Sequence, residues 1–225
     1  MNRRRFVTAL GGTAAATAAE KKLLLPSDKP DEFHLRLMWY NPVPPIDSRT
    51  WRLKVGGLVD KPQAFTLEQF RKFPQIQKSV RLKCVQCWSA RAFWGGFRFE
   101  EILEVVKPKK GARAIRIDCA DKWYEYMDLN EMTGPHVLMT LDLAGKPLPD
   151  NHGAPLRLID GSKYGYKSAK LITSITFVAE GKGSMACDIG PYYSPSGEIL
   201  AGYDHPLDHG PNARRKITGG AITEY

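Results

Sequence analysis

The chain has 225 residues, 43% of them hydrophobic, which is enough to bury one substantial core. Its aromatic, Gly and Pro usage is that of an ordinary folded protein and excludes wholesale disorder. The formal charge is +9, but the basic residues are scattered and no nucleic-acid module accompanies them. The surplus therefore points to an anionic ligand or an acidic partner protein, not to nucleic acid.

Arg3, Arg4 and Arg5, then Phe6 and Val7, precede a weakly apolar run of Ala, Gly and Thr to Ala19. A charged start, an apolar stretch and the small residues Ala16-Thr17-Ala18 describe an export signal over residues 1–18. The paired arginines and weak hydrophobicity resemble the twin-arginine signal, a route that carries proteins already folded, typically around a cofactor. The expected location is the periplasm. No later segment approaches 18 consecutive apolar residues, so the mature protein is not expected to span a membrane. Residues 19–32 read as a linker.

Trp51, Leu53 and Val55 alternate with Arg52 and Lys54, the period of a half-buried strand, which Gly56-Gly57 is expected to interrupt. Thr66-Leu67-Glu68-Gln69 fits a capping box opening a short helix that Pro74 closes. Val80 and Leu82 alternate with Arg81 and Lys83, a strand that delivers the chain to Cys84. Phe99, Ile102, Leu103 and Val106 lie on one helical face, ended by Pro108. Strands follow over Ala114–Cys119, Tyr124–Leu129, His136–Leu143, Pro155–Ile159 and Leu171–Ala179. No repeat or βαβ rhythm appears, so the fold class is α+β, one domain over 33–180 with a mixed, largely antiparallel β core. Residues 181–225 carry Cys187, Tyr192, Tyr193, Tyr203, His205, His209, Arg214 and Arg215 but few periodic apolar positions. They read as an irregular C-terminal wrap of the same domain, with Ala221–Tyr225 strand-like.

Cys84-Val85-Gln86-Cys87 admits three readings from its residues alone. A redox pair wants a helix N-terminus after the strand, and Trp88–Gly96 is no clear helix opening. A zinc site wants two more close ligands, whereas Cys119 and Cys187 stand alone. Buried structural cysteines are the third reading.

Cys84-Val85-Gln86-Cys87-Trp88-Ser89 followed by Trp94-Gly95-Gly96 resembles the molybdenum-ligand loop of the sulfite-oxidase family of molybdopterin-dependent oxidoreductases. Pro147-Leu148-Pro149 leading into His152-Gly153-Ala154-Pro155-Leu156-Arg157 resembles it too, as does Lys163–Lys170. Upstream, Tyr40–Pro44 and Trp51–Gly57 match in order, and the likeness extends over residues 33–180. The nearest branch includes the exported bacterial methionine-sulfoxide reductase catalytic subunit. The resemblance implies one molybdenum-molybdopterin per chain, with Cys84 as metal ligand and catalytic centre. It places Arg157, Ser168, Ala169 and Lys170 at the cofactor's phosphate and pterin, with His152, Asn41 and Cys119 at further cofactor-contacting positions. Cys87 departs from the family's pattern, in which a small residue stands there, and packing is its favoured role. Arg91 is the only arginine beside the loop, whereas sulfite oxidation uses several.

The function implied is oxygen-atom transfer on a small or protein-bound S-oxide, N-oxide or sulfite-like substrate, oxidised methionine included. A separate redox partner, either a membrane haem subunit or a soluble cytochrome, would exchange the electrons. The alternatives are a non-catalytic cofactor- or anion-binding protein and a CxxC thiol-disulfide protein.

Overall fold

A computed structural model describes residues 23–27, 29–85, 88–190 and 193–199. The expected export signal, Cys87, Tyr192, and the Tyr203, His205, His209, Arg214, Arg215 and Ala221–Tyr225 positions of the tail lie outside the described residues.

Among the described residues, ten strands form two sheets. In the first, β1 (Leu53–Gly57), β2 (Gln63–Phe65), β5 (Ala114–Cys119), β6 (Tyr124–Asp128) and β10 (Ile172–Val178) stand in the order β2-β1-β10-β5-β6. Only β1 and β10 run parallel, Val55 opposite Ile175. The second sheet orders β3 (Ile76–Lys83), β4 (Ser89–Phe97), β7 (Val137–Leu143) and β8 (Lys146–Pro147), with β9 (Arg157–Asp160) also on β7. Among the described residues the α-helices are α1 (Leu67–Arg71), α2 (Glu100–Val106), α3 (Leu129–Met132) and α4 (Met185–Ile189), all short, with 3-10 turns at Asp150–His152 and Gly165–Lys167.

The local signals in the sequence act as expected at α1. Thr66 Oγ1 accepts from Gln69 N (3.1 Å) and Gln69 Oε1 accepts from Thr66 N (2.8 Å), closing both halves of the capping box. Gly56-Gly57, expected to interrupt the first strand, instead belongs to β1. Gly57 has φ +82°, and a Cβ there would stand 2.3 Å from the Phe177 carbonyl oxygen, so glycine lets β1 close onto β10. The stretch after Trp88, expected to be no helix opening, is a strand: β4 pairs with β3 from Lys83↔Ser89 to Ile76↔Gly96. At Gly96 a Cβ would meet Met139 O at 2.0 Å, which accounts for the small residue where β4 shifts register against β7.

The main core lies between the sheets and joins Leu53, Val55, Ile115, Ile117, Ile175 and Phe177 to Phe97, Met139 and Leu158. Phe70 of α1 stacks between Phe65 and Phe97 at centroid distances of 5.0 and 4.9 Å. A second core covers the other side of the second sheet with Leu35, Val80, Leu82, Trp94, Leu138 and Ile159. β7 therefore has apolar packing on both faces, which makes the β3–β4 hairpin built on it a rigid support. No helix among the described residues is long and apolar enough to cross a membrane.

Candidate active site

The β3–β4 hairpin ends in the connection Cys84–Trp88, closed by Cys84 N donating to Trp88 O at 2.8 Å. Cys84 is thus at a hairpin tip and not at a helix N-terminus, so no helix dipole acts on its thiol. Cys84 is half-buried, beside a small cluster of Val85, Tyr164, Ile199, Tyr166 and Tyr193.

Three further stretches converge on the tip around a cavity of about 290 Å³. The first is the turn before β9. His152 is 3% exposed, and its Nε2 lies 2.5 Å from Asp31 Oδ2. Burial, then the neighbouring Arg157, lowers its pKa to about 4, so at neutral pH it is an uncharged imidazole in close contact with the Asp31 carboxylate. Arg157, 5% exposed, donates from one terminal nitrogen to His152 O (2.9 Å) and lies over the Trp94 ring, 4.9 Å from its centroid. Burial lowers its pKa to about 9, and its Nε has no hydrogen-bond partner.

The second stretch runs from Gly165 to Lys170. Ser168 Oγ accepts from Asp160 N (3.2 Å). The backbone N–H groups of Ser168 and Ala169 donate locally, to Gly165 O and Lys167 O (3.1 Å each), so the donors left for a ligand here are side chains. Lys170 Nζ donates to Met38 O and stands 3.9 Å above the Trp39 ring. Burial, then Arg157, lowers its pKa to about 7.

The third stretch, Leu35–Tyr40, forms the opposite wall together with Asp121 and Trp123. Asp121 accepts from Tyr40 N (3.1 Å) and Trp123 N (3.2 Å), fixing the two segments to each other.

Six of the expected residues, Cys84, His152, Arg157, Ser168, Ala169 and Lys170, line this one cavity. Asn41 and Cys119 stand outside its lining. Asn41 Nδ2 donates to Asp121 O (2.8 Å), and Cys119 is packed in the main core, where burial raises its thiol pKa well above the ordinary value. Arg91 also lies off the lining, on an exposed strand face where it donates to Ser79 O (3.3 Å). The sequence reading did not single out Trp39, Trp88, Asp121, Trp123 or Asp31; the aromatic-rich run Leu35–Tyr40 is the signal that marks the wall. Ile189 and Tyr193, from the tail, complete it.

The lining carries four basic residues, Arg36, Lys83, Arg157 and Lys170, against the single acid Asp121. Arg157 Nε, Trp39 Nε1 and Trp88 Nε1 are buried donors without hydrogen-bond partners. Unsatisfied buried donors beside crowded cations are costly unless a ligand rich in acceptors completes them. Among the described residues no cluster of three or more His, Cys, Asp or Glu can hold a bare metal ion. A metal at Cys84 would have to arrive with its own ligands. A phosphorylated heteroaromatic dithiolene cofactor fits each of these features.

That donor set defines a cofactor-binding oxidoreductase pocket on a mixed α+β scaffold. Residues 40–185 match the family described as "Oxidoreductase molybdopterin binding domain", and the chain belongs to that family, the sulfite-oxidase type. It is 38% identical over 144 residues to the protein-methionine-sulfoxide reductase catalytic subunit MsrP of Ralstonia nicotianae, covering 57% of this chain and 44% of that protein. To the MsrP of Pseudomonas syringae pv. tomato it is 31% identical over 153 residues, covering 60% and 45%. The chain thus spans less than half the length of these two relatives. In fold it is similar to the sulfane dehydrogenase SoxCD of Paracoccus pantotrophus, with a TM-score of 0.58 at 17% identity over 77% of this chain and 46% of that one.

Proposed function

We propose that the chain is the molybdopterin-bearing catalytic unit of an oxygen-atom-transfer oxidoreductase, with Cys84 as the protein ligand to molybdenum. The observation that carries this reading is the convergence of Cys84, His152, Arg157 and Lys170 on one cationic cavity with orphaned N–H donors. When bound, the cofactor supplies a metal that cycles between oxidation states and passes an oxygen atom to or from the substrate.

The chain's own residues hold and orient. Cys84 offers a soft thiolate from a hairpin tip fixed by packing on both faces of its sheet. Arg157 and Lys170 take the phosphate, relieving their desolvation by charge-assisted hydrogen bonds. His152, kept neutral and aimed by Asp31, presents an uncharged face to the pterin. Trp39 and Trp88 offer their indole N–H groups to acceptor atoms of cofactor or substrate.

The names of the MsrP relatives favour a methionine S-oxide, free or protein-bound, over an N-oxide. Arg91 lying outside the cavity weighs against the sulfite anion. In the reducing direction, an S-oxide, two electrons and two protons give a thioether and water, the electrons coming from a separate membrane haem subunit or soluble cytochrome. One cofactor per chain and twin-arginine export to the periplasm complete the reading.

Metal analysis of protein purified from cells that make the cofactor tests it. About one molybdenum per chain, lost in Cys84→Ser because a hydroxyl is too hard a ligand, supports the assignment. A metal-free chain with a titratable Cys84–Cys87 disulfide overturns it in favour of thiol-disulfide chemistry. Stoichiometric metal without turnover marks a non-catalytic binding protein.

A further inference from the structure

Three lysines are buried among the described residues: Lys83 at 7% exposed, Lys163 at 4% and Lys167 at 1%. Lys163 Nζ donates to Glu131 (2.7 Å) and Lys167 Nζ to Glu125 (2.6 Å), so each of these two has a carboxylate. Lys83 has none, and among the described residues no carbonyl oxygen or aromatic ring partners its ammonium. A buried ammonium without an acceptor is costly unless a ligand completes it. Arg36, also on the cavity lining, is only half-buried, so water serves it. Lys83 is the last residue of β3, and the chain turns directly after it, Cys84 N donating to Trp88 O. The two neighbours therefore border one cavity instead of alternating to opposite faces. The backbone of Lys83 is held on both edges, paired with Ser89 on one side and bridged to Tyr164 on the other. Lys83 also stands apart from the cations at the far end of the cavity. The charge of Arg157 lowers the pKa of both Lys170 and His152, and Lys83 is not among the charges acting on either.

We propose that Lys83 is a catalytic residue that binds the substrate's oxygen, its ammonium donating to the S–O oxygen of a neutral S-oxide brought up beside Cys84. The inference rests on the proposed function, in which Arg157 and Lys170 are taken by the cofactor's phosphate and Lys83 is left for what meets the metal. An S-oxide has a strongly polar S–O bond, with the negative end on oxygen, and no proton donor of its own. In the overall reaction the sulfur is reduced by the two electrons from the carrier, and the oxygen takes two protons from solvent and departs as water. As the S–O bond breaks, negative charge builds on the oxygen. An ammonium fixed beside it in a water-poor cavity acts more strongly on that developing charge than on the resting substrate.

The test uses Lys83→Met and Lys83→Arg in the full chain, with N-acetylmethionine methylamide S-oxide as an uncharged probe and a small dye as electron source. Lys83→Met is expected to lower kcat/KM about a hundredfold, the scale on which one donor to a developing oxyanion acts, while Lys83→Arg keeps most of it. Molybdenum content is expected to be unchanged in both. The cofactor-free Lys83→Met chain is expected to melt no lower than the unaltered one, because the substitution breaks no pair and removes a buried charge. An unchanged kcat/KM, a lowered melting temperature, or molybdenum lost along with activity would each overturn the proposal. A further readout needs no cofactor. Alkylation of Cys84 by anionic iodoacetate relative to neutral iodoacetamide, read on the Cys84 peptide by mass spectrometry, reports positive charge beside the thiol independently of the thiol's own ionisation. Lys83→Met is expected to lower that ratio severalfold, and equal ratios in the two chains would show that the ammonium does not face the site. Absence of molybdenum from the unaltered chain would sink the functional reading, and the alkylation ratio would still decide the placement of Lys83.

Discussion

Asp31 Oδ2 lies 2.5 Å from His152 Nε2, tying the segment ahead of the family's matched region to the turn that forms the cavity wall. The other oxygen of Asp31 accepts from the N–H groups of Phe33 and Leu35, both at 2.9 Å. One carboxylate therefore sets the local turn and anchors it to the site. Asp31→Ala leaves two backbone donors short of a partner and takes the carboxylate away from the buried imidazole, and is expected to cost about 2–3 kcal/mol. Urea denaturation would measure it; a change within a few tenths of a kcal/mol would show the contact to be dispensable.

The buried imidazole also sets a pH dependence. The folded pKa of His152 is lowered to about 4 from an ordinary 6.5, so between those values the unfolded chain binds a proton that the folded chain does not. Stability contributed by His152 is complete above pH 6.5 and is lost as pH falls toward 4. His152→Gln is expected to flatten that part of the stability curve. The check is the difference between the two curves over pH 4–7, since other buried groups titrate in both proteins alike.

Lys170, with its pKa lowered to about 7, gives the cofactor-free chain a titratable anion site. An anion needs the ammonium form, which predominates at pH 6 and is the minor form at pH 8. Affinity for sulfate, whose charge is constant over that range, is therefore expected to fall by about tenfold in the cofactor-free protein. Lys170→Met should bind weakly at both pH values. Calorimetric titration at pH 6 and 8 decides it, and a flat profile in the unaltered chain would remove Lys170 from the anion site.

Much of the fold is legible locally. Thr66 and Gln69 announce α1, and alternation finds Val80–Lys83, Ala114–Cys119 and most of β7. β4 escapes the same test because its inward positions are the small Ala90 and Ala92, while the large Phe93 faces outward. Alternation of bulk is then nearly invisible, and only pairing with β3 identifies the strand. The parallel joining of β1 and β10, about 120 residues apart in sequence, leaves no local trace. In the site, Cys84, His152, Arg157 and Lys170 could be placed from spaced motifs. Asp31, Trp39 and Asp121 act through contacts that only the folded chain brings together. The backbone N–H groups of Ser168 and Ala169 are taken up by the tight turn itself, which the sequence does not announce.

Behind the cavity, Lys167 is 1% exposed and its Nζ donates to Glu125 (2.6 Å), Tyr126 O (2.7 Å) and Pro195 O (2.8 Å). Burial pushes Glu125 up to about 7 against the pull of Lys167. Lys167→Met strands a buried carboxyl group and is expected to cost about 3–5 kcal/mol. Adding Glu125→Gln should recover a large part of that loss, because the remaining amide is neutral. Denaturant unfolding of the single and double variants tests this; identical losses in both would show that Lys167 acts by packing alone.

The same lysine fastens the tail. Between residues 181 and 199, Ser184 and Ala186 are fully covered, and Glu125 bridges to Ser184. Tyr166 OH donates to Ser194 O (2.7 Å), Tyr164 N donates to Gly197 O (2.7 Å), and Ile199 closes on Val85 and Tyr164 beside Cys84. Truncation after Gly181 removes each of these contacts at once. It uncovers Val85 and Tyr164, takes one acceptor from Lys167, and strips Ile189 and Tyr193 from the cavity wall. Several hydrogen bonds and a small apolar cluster amount to a few kcal/mol, which in a chain of this size lowers the melting temperature by roughly 10 °C. Because the hairpin tip loses its cover, the Cys84 thiol should also react faster with a bulky alkylating reagent in the cofactor-free chain. A truncated protein with an unchanged melting temperature and an unchanged Cys84 alkylation rate would show that the tail neither stabilises the domain nor shields the site.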